Sequence, residues 1–271
     1  MKKKTLYKYF SGSRNFFENR RIRFSPRAAL NDPFEIRPSV KSMAMFLHSD
    51  DSFCDDGYDA ILKRVKDDQE NYFDDDNGIP MLNQLGVLCL TESKRNLLMW
   101  SHYANSHKGY VVGFDVSHDF FNNYRRTNFW REYENIGKVL PVKYESYRTE
   151  SVYCFTEWYF HKSDDWIYEK EHRLVLPLVS CDLVIEQTPD SGELKEIRDQ
   201  KEISGIYNLG QSQYLCLSEV PKEAIVSVTF GAAISQELEG GIRDSVIGLN
   251  PFTIEKAKYS EMRFELELEE T

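Results

Sequence analysis

Short apolar runs bounded by turn residues recur along the chain, and none grows long. Gly86-Val87-Leu88-Cys89-Leu90-Thr91, Gly109-Tyr110-Val111-Val112-Gly113-Phe114-Asp115 and Ile225-Val226-Ser227-Val228-Thr229-Phe230 read as strands. Leu6-Tyr7-Lys8-Tyr9-Phe10 is β-rich, and Arg21-Ile22-Arg23-Phe24-Ser25 alternates as a half-buried strand does. Glu169 to Leu178 and Tyr214 to Leu217 are further strands, and Lys138 to Tyr144 is one near an edge because of Pro141. The tail Arg263 to Glu269 alternates strictly, with a charged face that discourages edge-to-edge pairing. Helices are expected over 96–104, 150–163 and 192–204, and over 234–247 despite Gly240-Gly241. Ser13 is a candidate N-cap for a short helix through Asn19. Asp55 to Phe73 looks helical, and Asp74-Asp75-Asp76-Asn77-Gly78 ends it. Strands and helices interleave without a regular βα rhythm, and neither GxGxxG nor GxxxxGK[ST] is present. The expected fold is α+β, with twisted, mostly antiparallel sheets decorated by helices. One domain over 1–271 is expected, with a helical insertion over 42–82.

No apolar run approaches the roughly 18 residues of a membrane span. No long apolar run follows Met1-Lys2-Lys3-Lys4, so a cytoplasmic protein without a membrane partner is expected. Net charge is -10, which argues against a dedicated nucleic-acid coat and leaves nucleic acid only as a possible target. The charge is uneven. Residues 1–41 hold 11 Lys and Arg against 3 acids, a balance of +8, and residues 42–86 hold 3 against 11, a balance of -8. Either the basic start offers a face to an anion, or the two segments neutralise each other. Five cysteines (Cys54, Cys89, Cys154, Cys181 and Cys216) lack CxxC spacing and point to neither a zinc site nor a disulfide framework. Six histidines offer no HExxH, and Asp74 to Gly78 is out of register for a calcium loop, so no metal is expected.

Three segments can carry chemistry. On the first strand, Lys8 shares a face with Leu6 and Phe10, where a buried ammonium needs an anion unless the register leaves it in water. The second runs from Leu88 to Phe114. There Thr91 and Ser93 share a strand face or cap the next helix, and Trp100 and Tyr103 share a helix face. His102 lies between them in sequence and points elsewhere. The third is Trp166 to Leu174, in which Glu169, Glu171 and Arg173 are expected on one strand face. They form either a salt-bridged ladder or a carboxylate tuned by its neighbours.

These residues carry a resemblance. Leu6-Tyr7-Lys8-Tyr9, Asn31-Asp32-Pro33-Phe34-Glu35, Met99-Trp100-Ser101-His102-Tyr103 and Trp166 with Tyr168-Glu169-Lys170-Glu171-His172-Arg173 are similar to the signature of a prokaryotic family, domain of unknown function 2971. The similarity spans about residues 5–232, and some members of that family occur near mobile elements and phage-defence genes. More distantly, the sequence resembles the ADP-ribosyltransferase superfamily, which has a His or Arg on a first strand, a Ser or Tyr in the middle and a late catalytic Glu. Lys8, Thr91 or Ser93, and Glu169-Lys170-Glu171 fall at those positions, with Lys departing from the family's first residue.

That second resemblance implies a split β-sandwich and NAD as the substrate cofactor. It implies Glu171 as the catalytic carboxylate, stabilising an oxocarbenium-like ribose, and Glu169 steering the acceptor. Lys8 and Arg23 would meet the pyrophosphate, and Ser93 would support Glu171. Tyr9, Thr91, Trp100, His102 and Tyr103 complete the expected binding set. The expected function is an ADP-ribosyltransferase-like enzyme, a toxin or defence effector with an unknown macromolecular target. The alternative is a non-catalytic nucleotide- or protein-binding sensor module in a defence system. Metal-dependent nucleic-acid cleavage would need a carboxylate spacing that the sequence lacks.

Overall fold

The computed structural model describes residues 4–13, 15–49, 57–73, 80–122, 133–148, 150, 154–188, 192–249 and 251–271. In chain order it contains β1 (Thr5–Phe10), β2 (Arg21–Arg23), α1 (Val40–His48), α2 (Tyr58–Asp67), α3 (Gln69–Phe73), β3 (Leu85–Thr91), α4 (Leu97–Tyr103) and β4 (Tyr110–Asp115). Next come β5 (Val139–Pro141), β6 (Lys143–Glu145), β7 (His161–Ser163), β8 (Glu171–Pro177), β9 (Leu183–Gln187) and β10 (Leu194–Ile197). The last elements are α5 (Gln200–Ser204), β11 (Tyr214–Glu219), β12 (Ile225–Phe230), α6 (Gln236–Ser245), β13 (Thr253–Tyr259) and β14 (Leu266–Glu270).

An eight-stranded sheet runs β14-β13-β12-β4-β1-β3-β8-β5, and a four-stranded sheet runs β10-β9-β11-β2. Pairing is antiparallel except between β12 and β13 and between β6 and β7. The architecture is therefore mixed α+β with mostly antiparallel sheets.

Side-chain alternation sorts the cores. Leu6, Leu88, Leu90, Val112 and Leu174 leave one face of the large sheet and meet Ile22, Val184 and Cys216 of the small sheet. From the other face, Val87 and Val175 pack with Met43, Ala44, Ile61 and Val65 of α1 and α2. Further along that face, Tyr9, Val111 and Ala257 pack with Met99 and Trp100 of α4.

One irregularity in the large sheet matters most. β1 pairs with β4 over its full length, from Thr5 opposite Asp115 to Phe10 opposite Tyr110. It meets β3 only where Tyr7 lies opposite Thr91. β3 pairs along its whole length with β8 instead. Past that single pair β1 and β3 part, and Lys8 Nζ donates to the Cys89 carbonyl at 3.4 Å where a ladder bond would otherwise lie.

Several local expectations are corrected. Asn15 rather than Ser13 caps the first short helix, a 3-10 turn over Phe16–Glu18, by accepting from Phe17 N–H. Within the 150–163 stretch the described residues form a 3-10 turn over Phe155–Phe160 followed by β7, because Phe155, Trp158, Tyr159 and Phe160 are all buried rather than aligned on one helical stripe. The 192–204 stretch divides into strand β10 and helix α5, with Asp199 capping the latter. Lys138 to Tyr144 divides at Val142 into β5 and β6, which join different sheets. The third segment begins as a 3-10 turn over Asp164–Glu169, and Lys170 takes a left-handed conformation with φ 46, so β8 starts only at Glu171. Glu169 and Glu171 therefore do not stand on one strand face. The run Asp74 to Gly78 and Cys54 lie outside the described residues.

Candidate functional site

The parting of β1 from β3 opens a cavity of about 260 Å³ lined by Tyr7, Lys8, Tyr9, Asn31, Glu35, Cys89, Thr91, Met99, Tyr103, Lys162, Glu169 and Glu171. Across the strands that form it, Tyr7 lies opposite Thr91, and Thr91 lies opposite Glu171. Opposed residues in a sheet project to the same side, so β1, β3 and β8 each present one polar side chain to the same wall.

A buried charge network forms the floor. Lys162 Nζ lies 2.7 Å from Glu169 Oε2, 3.1 Å from Glu171 Oε2 and 3.4 Å from Glu35 Oε1. Arg173 is fully buried and donates from Nε to Glu171 Oε1 at 2.8 Å and from Nη2 to Glu171 Oε2 at 2.9 Å. Arg173 also pairs with Glu35 and donates to the Tyr159 carbonyl at 2.7 Å. Tyr103 hydroxyl donates to Glu169 Oε1 at 2.6 Å. With Lys8, three cations face three carboxylates, which is what lets so much charge stay out of water.

The network sets the proton positions. Burial pulls Lys162 down, but Glu171 and Glu169 outweigh it and hold the ammonium above its ordinary value. Burial pushes the Glu171 carboxyl up against the opposing pull of Lys162. Burial pulls Lys8 below its ordinary value. Burial and then Glu171 push the Cys89 thiol well up, which keeps it from acting as a thiolate. Tyr103 is raised by burial and then by its hydrogen bond to Glu169, so it serves as a donor.

Of the residues singled out in the sequence, Lys8, Tyr9, Thr91, Tyr103, Glu169 and Glu171 line the cavity. Thr91 hydroxyl donates to the Glu169 carbonyl at 2.5 Å, and Tyr9 hydroxyl donates to the Ser93 carbonyl at 3.0 Å. Ser93 is not among the lining residues; its hydroxyl accepts from Arg95 N–H at 3.2 Å, a turn contact. Arg23 lies on β2 in the small sheet, although its charge helps to lower Lys8. Trp100 is core, with its indole N–H donated to the Lys94 carbonyl at 2.9 Å and its ring stacked on His107. His102 is exposed on α4. The helix spacing that pairs Trp100 with Tyr103 thus points one ring into the core and brings the other to the cavity.

Lys162, Glu35, Asn31 and Cys89 were not singled out. Asn31 and Glu35 belonged to a quoted motif without a role, and no motif marks Lys162, because its importance lies in meeting the remote Glu35 together with Glu169 and Glu171, seven and nine positions further on. Among the described residues, no group of His, Cys, Asp and Glu is arranged to hold a metal ion, and Lys162 occupies the point where three carboxylates meet. Among the same residues no helix is long and apolar enough to cross a membrane.

Fold and site together define an α+β protein with a charged cleft where a sheet divides. Residues 99–174 match the family model described as Protein of unknown function (DUF2971). That stretch carries most of α4 together with β4, Lys162, Glu169, Glu171 and Arg173, and the match supports the resemblance to this family of unknown function. No curated protein and no solved structure matches the chain.

Proposed function

We propose that the cleft binds the nicotinamide-ribose part of NAD and that the protein is an ADP-ribosyltransferase-like enzyme, passing ADP-ribose to a macromolecular acceptor. The observation that carries this reading is that Lys8 of β1, Thr91 of β3 and Glu171 of β8 line one cavity, with Thr91 opposite Glu171 in the sheet and Lys8 entering where β1 leaves β3. Its volume of about 260 Å³ suits a nucleoside-sized group, with the remainder of a dinucleotide lying outside. Breaking the nicotinamide-ribose bond builds positive charge on the sugar. Carboxylates already fixed by Lys162, Arg173 and Tyr103 stabilise such charge without having to reorganise. In this reading Glu171 faces the ribose, Glu169 orients the acceptor, and Lys8 meets a phosphate.

One contact supports a second reading. Arg173 engages both oxygens of Glu171, which neutralises much of the charge that catalysis needs. A sensor module that binds a nucleotide without turnover uses the same cavity.

Incubation of the protein with NAD, followed by measurement of released nicotinamide and of NAD binding, separates them. The enzyme reading expects release that falls at least about 100-fold in Glu171→Gln and in Glu169→Gln. Equal release in wild type and Glu171→Gln rejects the assigned site. Binding without release supports the sensor. Absence of NAD binding at about millimolar concentration removes both nucleotide readings.

A further inference from the structure

A second cavity, also about 260 Å³, shares Lys162 with the first. Its walls include Phe34, Arg37, Tyr147, Arg148, Trp158 and His161. We propose that it is a binding site for a small phosphorylated ligand of mononucleotide size, held by Arg37 and Arg148.

Charge supplies the first reason. Among the described residues neither Arg37 nor Arg148 takes part in an ion pair, in a protein whose net charge is -10. Arg148 lies with its guanidinium 4.7 Å from the Phe34 ring centre, and its Nη1 reaches only the Pro38 carbonyl, at 3.5 Å. Arg37 lies 5.2 Å from the Phe73 ring centre. Burial and then the charge of Arg37 pull Arg148 below its ordinary value, while Asp32 pulls the other way. Two like charges that repel each other at one cavity are relieved by an anion. The planar donor forks of two guanidiniums match the oxygens of a phosphate.

The apolar side of the cavity supplies the second. Phe34 is 58% exposed and Tyr147 is 88% exposed, although both are large aromatic side chains. Trp158 is buried, and its indole N–H has no acceptor among the described residues. An unsatisfied buried donor is uncommon, and here it belongs to a residue that lines the cavity. Aromatic walls next to a cationic rim suit a flat base joined to a phosphate. The serines contribute less, because Ser146 hydroxyl donates to Asp164 and Ser163 hydroxyl to Asp165. His161 Nδ1 is paired with Glu145 at 2.8 Å.

Calorimetry with AMP, inorganic phosphate and adenosine as separate probes tests the assignment on the full chain. The expected result is that AMP binds more tightly than either phosphate or adenosine. Arg37→Gln and Arg148→Gln should each weaken AMP binding about tenfold or more. Arg148→Lys, which keeps the charge but loses the fork, should fall between wild type and Arg148→Gln. Lys8→Met, in the first cavity, reports separately on any AMP bound there. Loss of AMP binding in Lys8→Met with retention in both glutamine variants would move the ligand to the first cavity and overturn the proposal. So would the absence of AMP binding at about 10 mM, or phosphate binding as tightly as AMP. Far-ultraviolet circular dichroism of each variant separates a lost contact from a lost fold.

Discussion

Arg173 holds Glu171 with two nearly parallel contacts, Nε to Oε1 at 2.8 Å and Nη2 to Oε2 at 2.9 Å, between side chains two residues apart on β8. Both point to the same side of the strand, so the pairing is a direct product of strand periodicity. Neither is exposed to bulk water, and Glu35 and Lys162 complete the arrangement. Buried pairs of this kind add little net stability over apolar replacements, yet losing one partner leaves an uncompensated charge.

Arg173→Met should therefore destabilise the protein by about 3–5 kcal/mol, because Glu171 and Glu35 lose one of the two cations they share and only Lys162 is left to compensate both. Urea unfolding of the two proteins measures it. A loss below about 1 kcal/mol, the range of exposed pairs, would contradict the burial of the network.

Tyr103→Phe removes the hydroxyl that donates to Glu169 at 2.6 Å and leaves the ring in place. A hydrogen bond to a charged group contributes about 1.5–3 kcal/mol, and a loss of that size is expected. A double-mutant cycle with Glu169→Gln should show coupling above about 0.5 kcal/mol. Strictly additive losses would show that the two side chains do not interact in solution.

Glu239 on α6 accepts from Lys256 of β13 at 2.7 Å and from Arg243 at 2.9 Å. Burial raises its carboxyl, but these contacts outweigh burial and bring it below the ordinary value of 4.5. A lowered folded-state value means that the unfolded chain binds the proton more readily. The stabilisation is present above 4.5 and is lost as pH falls below it. Glu239→Gln should cost about 0.5–1 kcal/mol near neutrality, and the gap between variant and wild type should close in acid. A gap that is constant across the acid range would refute this linkage.

Gly109 stands against the end of β1, where an added Cβ would lie 1.9 Å from the Phe10 carbonyl oxygen. Backbone cannot yield as a flexible side chain does. Gly109→Ala should destabilise by about 1–3 kcal/mol, read as a lower thermal midpoint. An unchanged midpoint would mean that β1 and the start of β4 shift apart without cost.

Much of the sheet was legible in the sequence. β3, β4 and β12 are short apolar runs with turn residues at their ends, and local composition alone defines such strands. The α4 boundaries follow from Asn96, whose side chain accepts from Leu98 and Met99 N–H. β9 and β13 were missed: the first follows a 3-10 turn closely, and the second mixes Lys and Glu into an apolar alternation at the side of the sheet. The left-handed conformation of Lys170 was also invisible, and it moves Glu169 off the strand face that Glu171 occupies.

For the cavity the division is similar. The sequence by itself marked the central strands of the large sheet and singled out Lys8, Tyr103, Glu169 and Glu171 as chemistry-bearing residues, because hydrophobic periodicity acts over a few residues. Only the tertiary structure decided that β1 leaves β3 after one pair, that Lys162 collects three carboxylates, and that Trp100 is sealed in the core while Tyr103 reaches the cleft. The physical reason is that charge compensation and strand separation depend on which distant segments meet, and no local pattern encodes that meeting.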